Sequence, residues 1–159
     1  MSEDLPTQAL ERYLAAHVPG DWRDLTLRRY LGGQSNPTFL VKGRGNEAVL
    51  RTQPAGHLLP SAHAIDREFR VMRALAGSGV PVPRMLHYCT DASIIGTPFY
   101  VMEHVRGRVH KDALLEGEPP ETRATLYDAM NETLARLHSV DYAARNLGDY
   151  GRPGNYFAR

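Results

Sequence analysis

The sequence has little cysteine, no long apolar run and almost no excess of either charge. Cys89 is the single cysteine among 159 residues, so an internal disulfide is excluded, as is usual in a reducing compartment. The formal net charge of +1 gives no electrostatic reason to expect a nucleic acid or an anionic membrane as partner. No run could span a bilayer, and the first residues lack the basic and apolar regions of a secretory signal. We therefore expect a soluble, cytoplasmic protein.

The composition is that of a globular protein. Hydrophobic residues make up 42% and charged residues 23%, and the length suits one ordinary domain, or one small lobe plus part of another. Apolar residues recur at helical spacing from Leu5 to Val18, with Pro6 in the first turn and Pro19-Gly20 at the end. This pattern predicts a helix. The sequence has no internal repeat and no low-complexity segment.

The stretch from Leu27 to Arg51 predicts an antiparallel meander of three short strands. Two glycine-bearing turns separate the strands, at 32–36 and 42–46. The first turn, Gly-Gly-Gln-Ser-Asn, contains only small and amide residues. Glycines let the backbone approach a ligand, and Ser and Asn side chains add donors, so such a turn can lie over phosphates. Taken alone, this turn is more often an ordinary hairpin turn.

A second helix is predicted from Ser61, a candidate N-cap, to about Ala76, before the glycines of 77–79. Glu68 borders its apolar stripe and does not point straight to solvent. A carboxylate in such a position needs a cationic partner. Its nearest candidates are Arg67, Arg70 and Arg73 of the same helix, and the more informative candidate is Arg51 at the end of the third strand.

Two more strands are predicted, from Arg84 to Thr90 and from Thr97 to Val105. The chain then turns helical, and Pro119-Pro120-Glu121 opens a helix that runs to about His138. Five strands with a helix between the third and the fourth form a specific order of elements. The apolar face of the last helix consists of Leu126, Met130, Leu134 and Leu137.

Taken together, these features resemble the aminoglycoside phosphotransferase and choline kinase-like family, and most closely its kinase-like domains fused to some acyl-CoA dehydrogenases. The resemblance implies an α+β, protein-kinase-like fold. Residues 1–105 would form the N-terminal lobe, a five-stranded antiparallel sheet with an inserted helix. Residues 106–159 would form a linker and the beginning of a helical C-terminal lobe. The resembling stretches occur in family order and cover most of the chain: 31–39 (LGGQSNPTF), 49–54 (VLRTQP), 59–72 (LPSAHAIDREFRVM), 99–107 (FYVMEHVRG) and 134–141 (LARLHSVD).

The resemblance implies an ATP site in the first lobe. Arg51 replaces the third-strand lysine that contacts the α and β phosphates, and Glu68 is its helix partner. A guanidinium is always charged and can hold phosphate through two donors, but it is planar and bulkier, so the phosphate geometry must differ. Val49 would meet the adenine, Met102 would stand behind it, and the backbone of Glu103 and Val105 would pair with its edge. The candidate cofactor-binding residues are Gly32, Gly33, Gln34, Ser35, Asn36, Val49, Arg51, Glu68, Met102, Glu103 and Val105.

The catalytic residues of this fold are expected outside the chain. Phosphoryl transfer needs a catalytic-loop aspartate, and an asparagine and a second aspartate that hold Mg²⁺. Asp141 with Asn146 imitates the catalytic loop, but it follows the last helix directly and its spacing from His138 is one residue too long. Asp149-Tyr150-Gly151 imitates the metal-binding triplet, but it comes only eight residues after Asp141, which leaves no room for the intervening hairpin. We interpret Asp141 as solvating the helix end. His57 and His63 lack a third ligand and predict no metal site.

The sequence therefore predicts the ATP-binding part of a phosphotransferase that moves the γ-phosphate to a hydroxyl of an unidentified small molecule, and that is inactive as this chain alone. Its cofactors would be ATP and Mg²⁺. The alternatives are a non-catalytic nucleotide-binding or protein-interaction module of the pseudokinase kind, and a plain helix-plus-sheet domain. We expect the last helix to expose apolar surface and to promote self-association.

Overall fold

The structure, a computed structural model, describes residues 5–31, 36–54, 64–151 and 154. All predicted helices and strands are confirmed, with ends that differ by a few residues; the predicted cap Ser61 lies outside the described residues. None of the described helices is both long and apolar enough to cross a membrane. In chain order the elements are α1 (Thr7–His17), β1 (Thr26–Arg29), β2 (Thr38–Lys42), β3 (Glu47–Thr52), α2 (Ile65–Leu75), β4 (Met85–Cys89), β5 (Phe99–Glu103) and α3 (Pro120–His138).

The five strands form one antiparallel sheet in the order β1-β2-β3-β5-β4. Strand β5 therefore lies between β3 and β4. Its neighbour β3 is separated from it in the chain by α2 and β4. The register sets Thr38 opposite Arg51, and Arg51 opposite Tyr100. A row of three polar side chains consequently crosses the three central strands.

The two faces of the sheet have different roles. Side chains alternate between the faces of a strand, so every second residue points to the same side. One face, with Leu10 and Leu14 of α1, forms the hydrophobic core. Its strand residues are Phe39, Val41, Ala48, Leu50, Phe99 and Val101. The intervening strand residues, Thr38, Leu40, Val49, Arg51, Tyr100 and Met102, belong to the opposite face.

An aromatic contact joins α1 to the edge strand β4. Tyr13 Oη lies 2.9 Å from His87 Nε2, and the Tyr13 ring stacks on His17 with centroids 4.1 Å apart. Burial raises the pKa of Tyr13 to about 12, so its hydroxyl keeps its proton, and the tautomer of His87 decides which of the two groups donates. Burial lowers the pKa of His87, and the nearby His17 lowers it further. The folded chain therefore favours the uncharged form of His87.

We expect the chain to lose stability in mild acid. His87 has its ordinary pKa near 6.5 in the unfolded chain and a lower one in the folded chain, so between these values the unfolded state binds more protons. The free energy of unfolding should hold above about pH 6.5 and fall as the pH decreases toward the folded pKa. Urea denaturation from pH 7.5 to 5 measures this slope. His87→Gln should flatten it, whereas the same change at the exposed His138 should not.

The turn between β2 and β3 packs closely against the segment that follows α1. Gly43 N donates to Asn46 O at 3.0 Å, and Asn46 Nδ2 donates to Asp21 O at 3.1 Å. The buried Trp22 is held by a hydrogen bond from its Nε1 to Val18 O at 2.9 Å. A Cβ on Gly43 would lie 2.5 Å from Asp21 O and 2.6 Å from Trp22 Cα, so this position has room only for glycine.

The chain folds as two compact units, residues 1–73 with 83–104 and residues 74–82 with 105–159. The first unit contains the sheet and most of α2. In the second unit, Arg145 Nη1 donates to Ala74 O and Ala76 O at 2.7 and 3.1 Å, and thereby satisfies carbonyls at the end of α2. The predicted domain boundary after Val105 stays a prediction.

Helix α3 contains no buried residue among those that the structure describes. Its apolar face is open, as the sequence predicted. The exposed fractions are 62% for Met130, 49% for Leu134 and 41% for Leu137. Such a face on a chain of this composition is typical of a surface that packs against another element.

Candidate functional site

The predicted pairing of Arg51 with Glu68 is confirmed. Arg51 Nε of β3 lies 2.7 Å from Glu68 Oε2 of α2, and Arg51 Nη2 donates to Glu68 Oε1 at 3.4 Å. The shorter contact is an ion pair that lacks the alignment of a hydrogen bond. Arg51 and Glu68 side chains are 28% and 34% exposed, so the pair lies at the border of the first unit's interior.

Two buried neutral groups also bind the same carboxylate. Asn36 Nδ2 donates to Glu68 Oε1 at 2.8 Å, and Tyr100 Oη donates to Glu68 Oε2 at 2.9 Å. Asn36 is 3% exposed and Tyr100 is 1% exposed. Each oxygen of Glu68 therefore faces one neutral donor and one nitrogen of Arg51. Sequence reasoning found Asn36 as part of the turn but missed Tyr100 altogether.

Thr38 completes this group of side chains, and we call Asn36, Thr38, Arg51, Glu68 and Tyr100 the Glu68 cluster. Arg51 Nη1 donates to Thr38 Oγ1 at 3.1 Å, and Thr38 Oγ1 donates in turn to Asn36 O at 3.1 Å. The register of β2, β3 and β5 explains the arrangement, because it sets the three strand residues side by side. The cluster thus links the end of the glycine turn to α2.

Arg51 has donors to spare within this cluster. Each terminal nitrogen of a guanidinium carries two N–H groups. Nη1 uses one on Thr38 and Nη2 uses one on Glu68, so each nitrogen has one N–H with no acceptor among the described residues. Two donors on one planar fork match the geometry of two phosphate oxygens. The arginine can therefore hold Glu68 and bind an anion at the same time.

Tyr100 is a proton donor over the whole physiological range. Burial raises the pKa of its hydroxyl, and the charge of Glu68 and the hydrogen bond to it raise it further. Its ring is also fixed by Phe69 of α2, whose centroid lies 6.0 Å away. Phe69 stacks in addition on Tyr88, with centroids 5.2 Å apart. Apolar packing and a charge-directed hydrogen bond hold the same tyrosine.

The residues predicted to meet the adenine lie beside the cluster. Val49 is directly opposite Met102 in the β3–β5 register, two residues from Arg51 and on the same face. Val49 is 7% exposed, and Met102 is half-buried. These two apolar side chains and the cationic Arg51 therefore share one face of the sheet.

Two further predicted site residues, Glu103 and Val105, lie at the end of β5 and beyond it. Glu103 ends β5, its N–H donates to Arg84 O at 2.9 Å, and its Oε2 accepts from Arg84 N at 3.3 Å. The N–H of Glu103 is therefore engaged, and its carbonyl is the group that could meet an adenine. Val105 follows the strand, belongs to the second unit and is 64% exposed. Gly32, Gly33, Gln34 and Ser35 lie outside the described residues.

The structure gives Asp141 a different role from the predicted one of solvating the end of α3. Its Oδ1 accepts hydrogen bonds from Ala143 N and Ala144 N, both at 3.0 Å. The carboxylate therefore caps the turn that follows α3, because these two amides would otherwise lack a partner. Its oxygen is occupied by the backbone of its own loop.

Comparison with known proteins identifies the family. The model of the phosphotransferase enzyme family, APH, matches residues 26–159. The chain belongs to this phosphotransferase family. A solved structure from Ralstonia eutropha, assigned as an aminoglycoside phosphotransferase, superposes with a TM-score of 0.83 at 47% identity over 98% of the chain. The five-stranded sheet with its helices thus corresponds to the N-terminal lobe of a kinase-like fold.

Two mammalian relatives agree with this assignment. Acyl-CoA dehydrogenase family member 10 of Mus musculus is 48% identical over 98% of the chain, and family member 11 of Rattus norvegicus is 49% identical over 96%. The chain spans only 15% and 20% of the lengths of these relatives, and 45% of the Ralstonia structure. The phosphotransferase family match therefore corresponds to one part of much longer proteins.

Proposed function

We propose that the chain is the ATP-binding part of a small-molecule phosphotransferase that transfers the γ-phosphate to a hydroxyl acceptor. The observation that supports this best is the Glu68 cluster, with a cationic fork beside the apolar side chains of Val49 and Met102. An adenine needs an apolar slot, and a polyphosphate needs fixed cationic donors. The family supports the same proposal, since kinase-like phosphotransferases act on ATP and an acceptor.

The chain's own residues would bind and orient the nucleotide. Arg51 would offer its two remaining N–H donors to the α and β phosphates, and Glu68 would hold the guanidinium in place. ATP supplies the phosphoryl group when bound. Among residues 5–31, 36–54 and 64–151, no three His, Cys, Asp or Glu side chains gather as a metal site. In this proposal the ligands of Mg²⁺ lie outside this chain, as the family resemblance implies.

Calorimetric titration of the 159-residue chain with ATP, with and without Mg²⁺, tests the proposal. We expect binding that weakens about tenfold or more in Arg51→Ala, because a charge-assisted bidentate contact is lost. Arg51→Lys should keep only part of the affinity, since a lysine retains the charge but not the planar two-donor fork. Arg44→Ala, which removes an exposed arginine paired with Asp24, is the matched control and should bind like the parent chain. Absence of binding at millimolar ATP would contradict the proposal.

The second candidate function is a protein-interaction module, which the open face of α3 favours. We expect the chain to self-associate through Met130, Leu134 and Leu137, because a second copy of the same face would remove these side chains from water. Analytical ultracentrifugation over a range of concentrations measures this association. Met130→Glu combined with Leu134→Glu should give a monomer, whereas Glu132→Gln on the same helix should not. A parent chain that sediments as a monomer at every concentration would refute the expectation.

A further inference from the structure

We propose that Tyr100 and Asn36 are positioning residues that aim Arg51 at the nucleotide phosphates by fixing the carboxylate of Glu68. The inference rests on the proposed function, and it deepens that function by assigning the orientation of the cationic fork to two neutral, buried groups. The contacts between Arg51 and Glu68 alone do not explain this orientation, because the shorter one lacks the alignment of a hydrogen bond and the aligned one is long.

The hydrogen-bond lengths show what holds the carboxylate. Asn36 and Tyr100 donate to Glu68 at 2.8 and 2.9 Å, whereas the one aligned hydrogen bond from Arg51 is 3.4 Å long. Charge-assisted hydrogen bonds weaken steeply beyond the usual range of lengths. The ion pair between Arg51 Nε and Glu68 Oε2 is shorter, at 2.7 Å, but it lacks the alignment of a hydrogen bond. The short directional contacts to the carboxylate therefore come from the two neutral donors. Arg51 then adopts the position that this fixed anion attracts.

Burial makes the two neutral donors rigid. Tyr100 and Asn36 are almost fully enclosed, whereas about a third of the Glu68 side chain meets solvent. A partly exposed glutamate has several rotamers available, and an ion pair that holds two long side chains in one geometry opposes their conformational entropy. One buried donor on each oxygen removes this freedom. The carboxylate, and with it the anion that attracts the guanidinium, is thereby fixed in place.

The inference predicts different effects on the binding of ADP and of adenosine. Arg51 contacts only the phosphates in the proposed function, so a loosened guanidinium should weaken the binding of ADP and leave adenosine unaffected. A loss of general packing would instead weaken both ligands, because the adenine surface includes Val49 and Met102 in the same sheet. The ratio of the two affinities therefore separates positioning from stability.

Tyr100→Phe is the decisive variant, because it removes one hydroxyl and keeps the ring. We expect the affinity for ADP, measured by calorimetry on the 159-residue chain, to fall three- to tenfold with no change for adenosine. Tyr88→Phe is the matched control: Tyr88 is opposite Tyr100 in the sheet and stacks on Phe69, but its hydroxyl is not among the described donors to Glu68. Asn36→Ala should shift the ADP affinity in the same direction as Tyr100→Phe.

A double variant and a ligand-free measurement complete the test. In the Arg51→Ala background, Tyr100→Phe should cause no further loss of ADP affinity, because its effect acts through the arginine. Without nucleotide, the Nε–H proton of Arg51 should exchange with solvent faster in Tyr100→Phe than in Tyr88→Phe. Equal ADP affinities in Tyr100→Phe and the parent chain would overturn the inference and leave the proposed function intact. A parent chain that binds no ADP overturns both.

Discussion

Glu68→Ala is expected to lower the free energy of unfolding by about 2–3 kcal/mol. The carboxylate is the common acceptor of Asn36, Arg51 and Tyr100, so its removal takes this acceptor from the buried hydroxyl and amide and the counter-ion from the guanidinium. Fully buried ion pairs lose more when one partner is removed. Because both charged side chains are partly exposed to solvent, the expected loss of stability is smaller than for a fully buried pair.

Urea denaturation at neutral pH measures the loss. Glu68→Gln should cost less than Glu68→Ala, because the amide keeps the shape and one acceptor oxygen, although it no longer attracts Arg51. Glu132→Ala removes an exposed glutamate that pairs with Arg136 on α3, and should change the stability by no more than about 0.5 kcal/mol. If Glu68→Ala is as mild as that surface control, the Glu68 cluster does not hold α2 to the sheet.

Gly43→Ala is expected to destabilise the chain by about 2–3 kcal/mol. The new methyl group would meet Asp21 O and Trp22 Cα, and these are backbone atoms that cannot rotate away as a side chain can. Relief requires the β2–β3 turn to move off the segment that carries the buried Trp22. The cost is therefore one of displaced packing in the core near α1.

Substitutions of two other glycines serve as controls that distinguish this steric clash from the conformational freedom of glycine. Gly45, in the same turn, has a φ of +76° and no atom within 4 Å of an added Cβ, so Gly45→Ala should cost about 1 kcal/mol through backbone strain alone. Gly107 has no positive φ, and an added Cβ there would meet no atom of the described residues, so Gly107→Ala should be nearly neutral. Thermal unfolding of the three variants gives the order directly. A Gly43→Ala chain as stable as Gly107→Ala would show that the turn can shift freely.

The order of elements was predictable because each element carries its own local signal. Helical spacing predicted α1 and α3, and glycine-bearing turns separated the strands. The Arg51–Glu68 pair was predictable for a different reason. Glu68 lies at the border of an apolar stripe, where a carboxylate needs a cation, and the family resemblance pointed to Arg51. The nucleotide role of the predicted site residues stays a prediction.

Tyr100 could not be found in the same way. Its neighbours Phe99 and Val101 are buried as well, so β5 shows no polar and apolar alternation that would tell one face from the other. The hydroxyl meets Glu68 only because β5 lies next to β3, and these strands are not consecutive in the chain. Gly43 was hidden for a similar reason, since the sequence shows two turn glycines and only tertiary contact distinguishes them.

The pairing of β3 with β5 also has a kinetic consequence. The row Thr38–Arg51–Tyr100 is complete only after the chain has closed a loop that contains α2 and β4. Such a long closure loses chain entropy before any contact compensates for it, and therefore belongs to a late stage of folding. The guanidinium of Arg51 should accordingly reach its final position only when the sheet is complete. A nucleotide that binds it would select molecules whose central strands have already assembled.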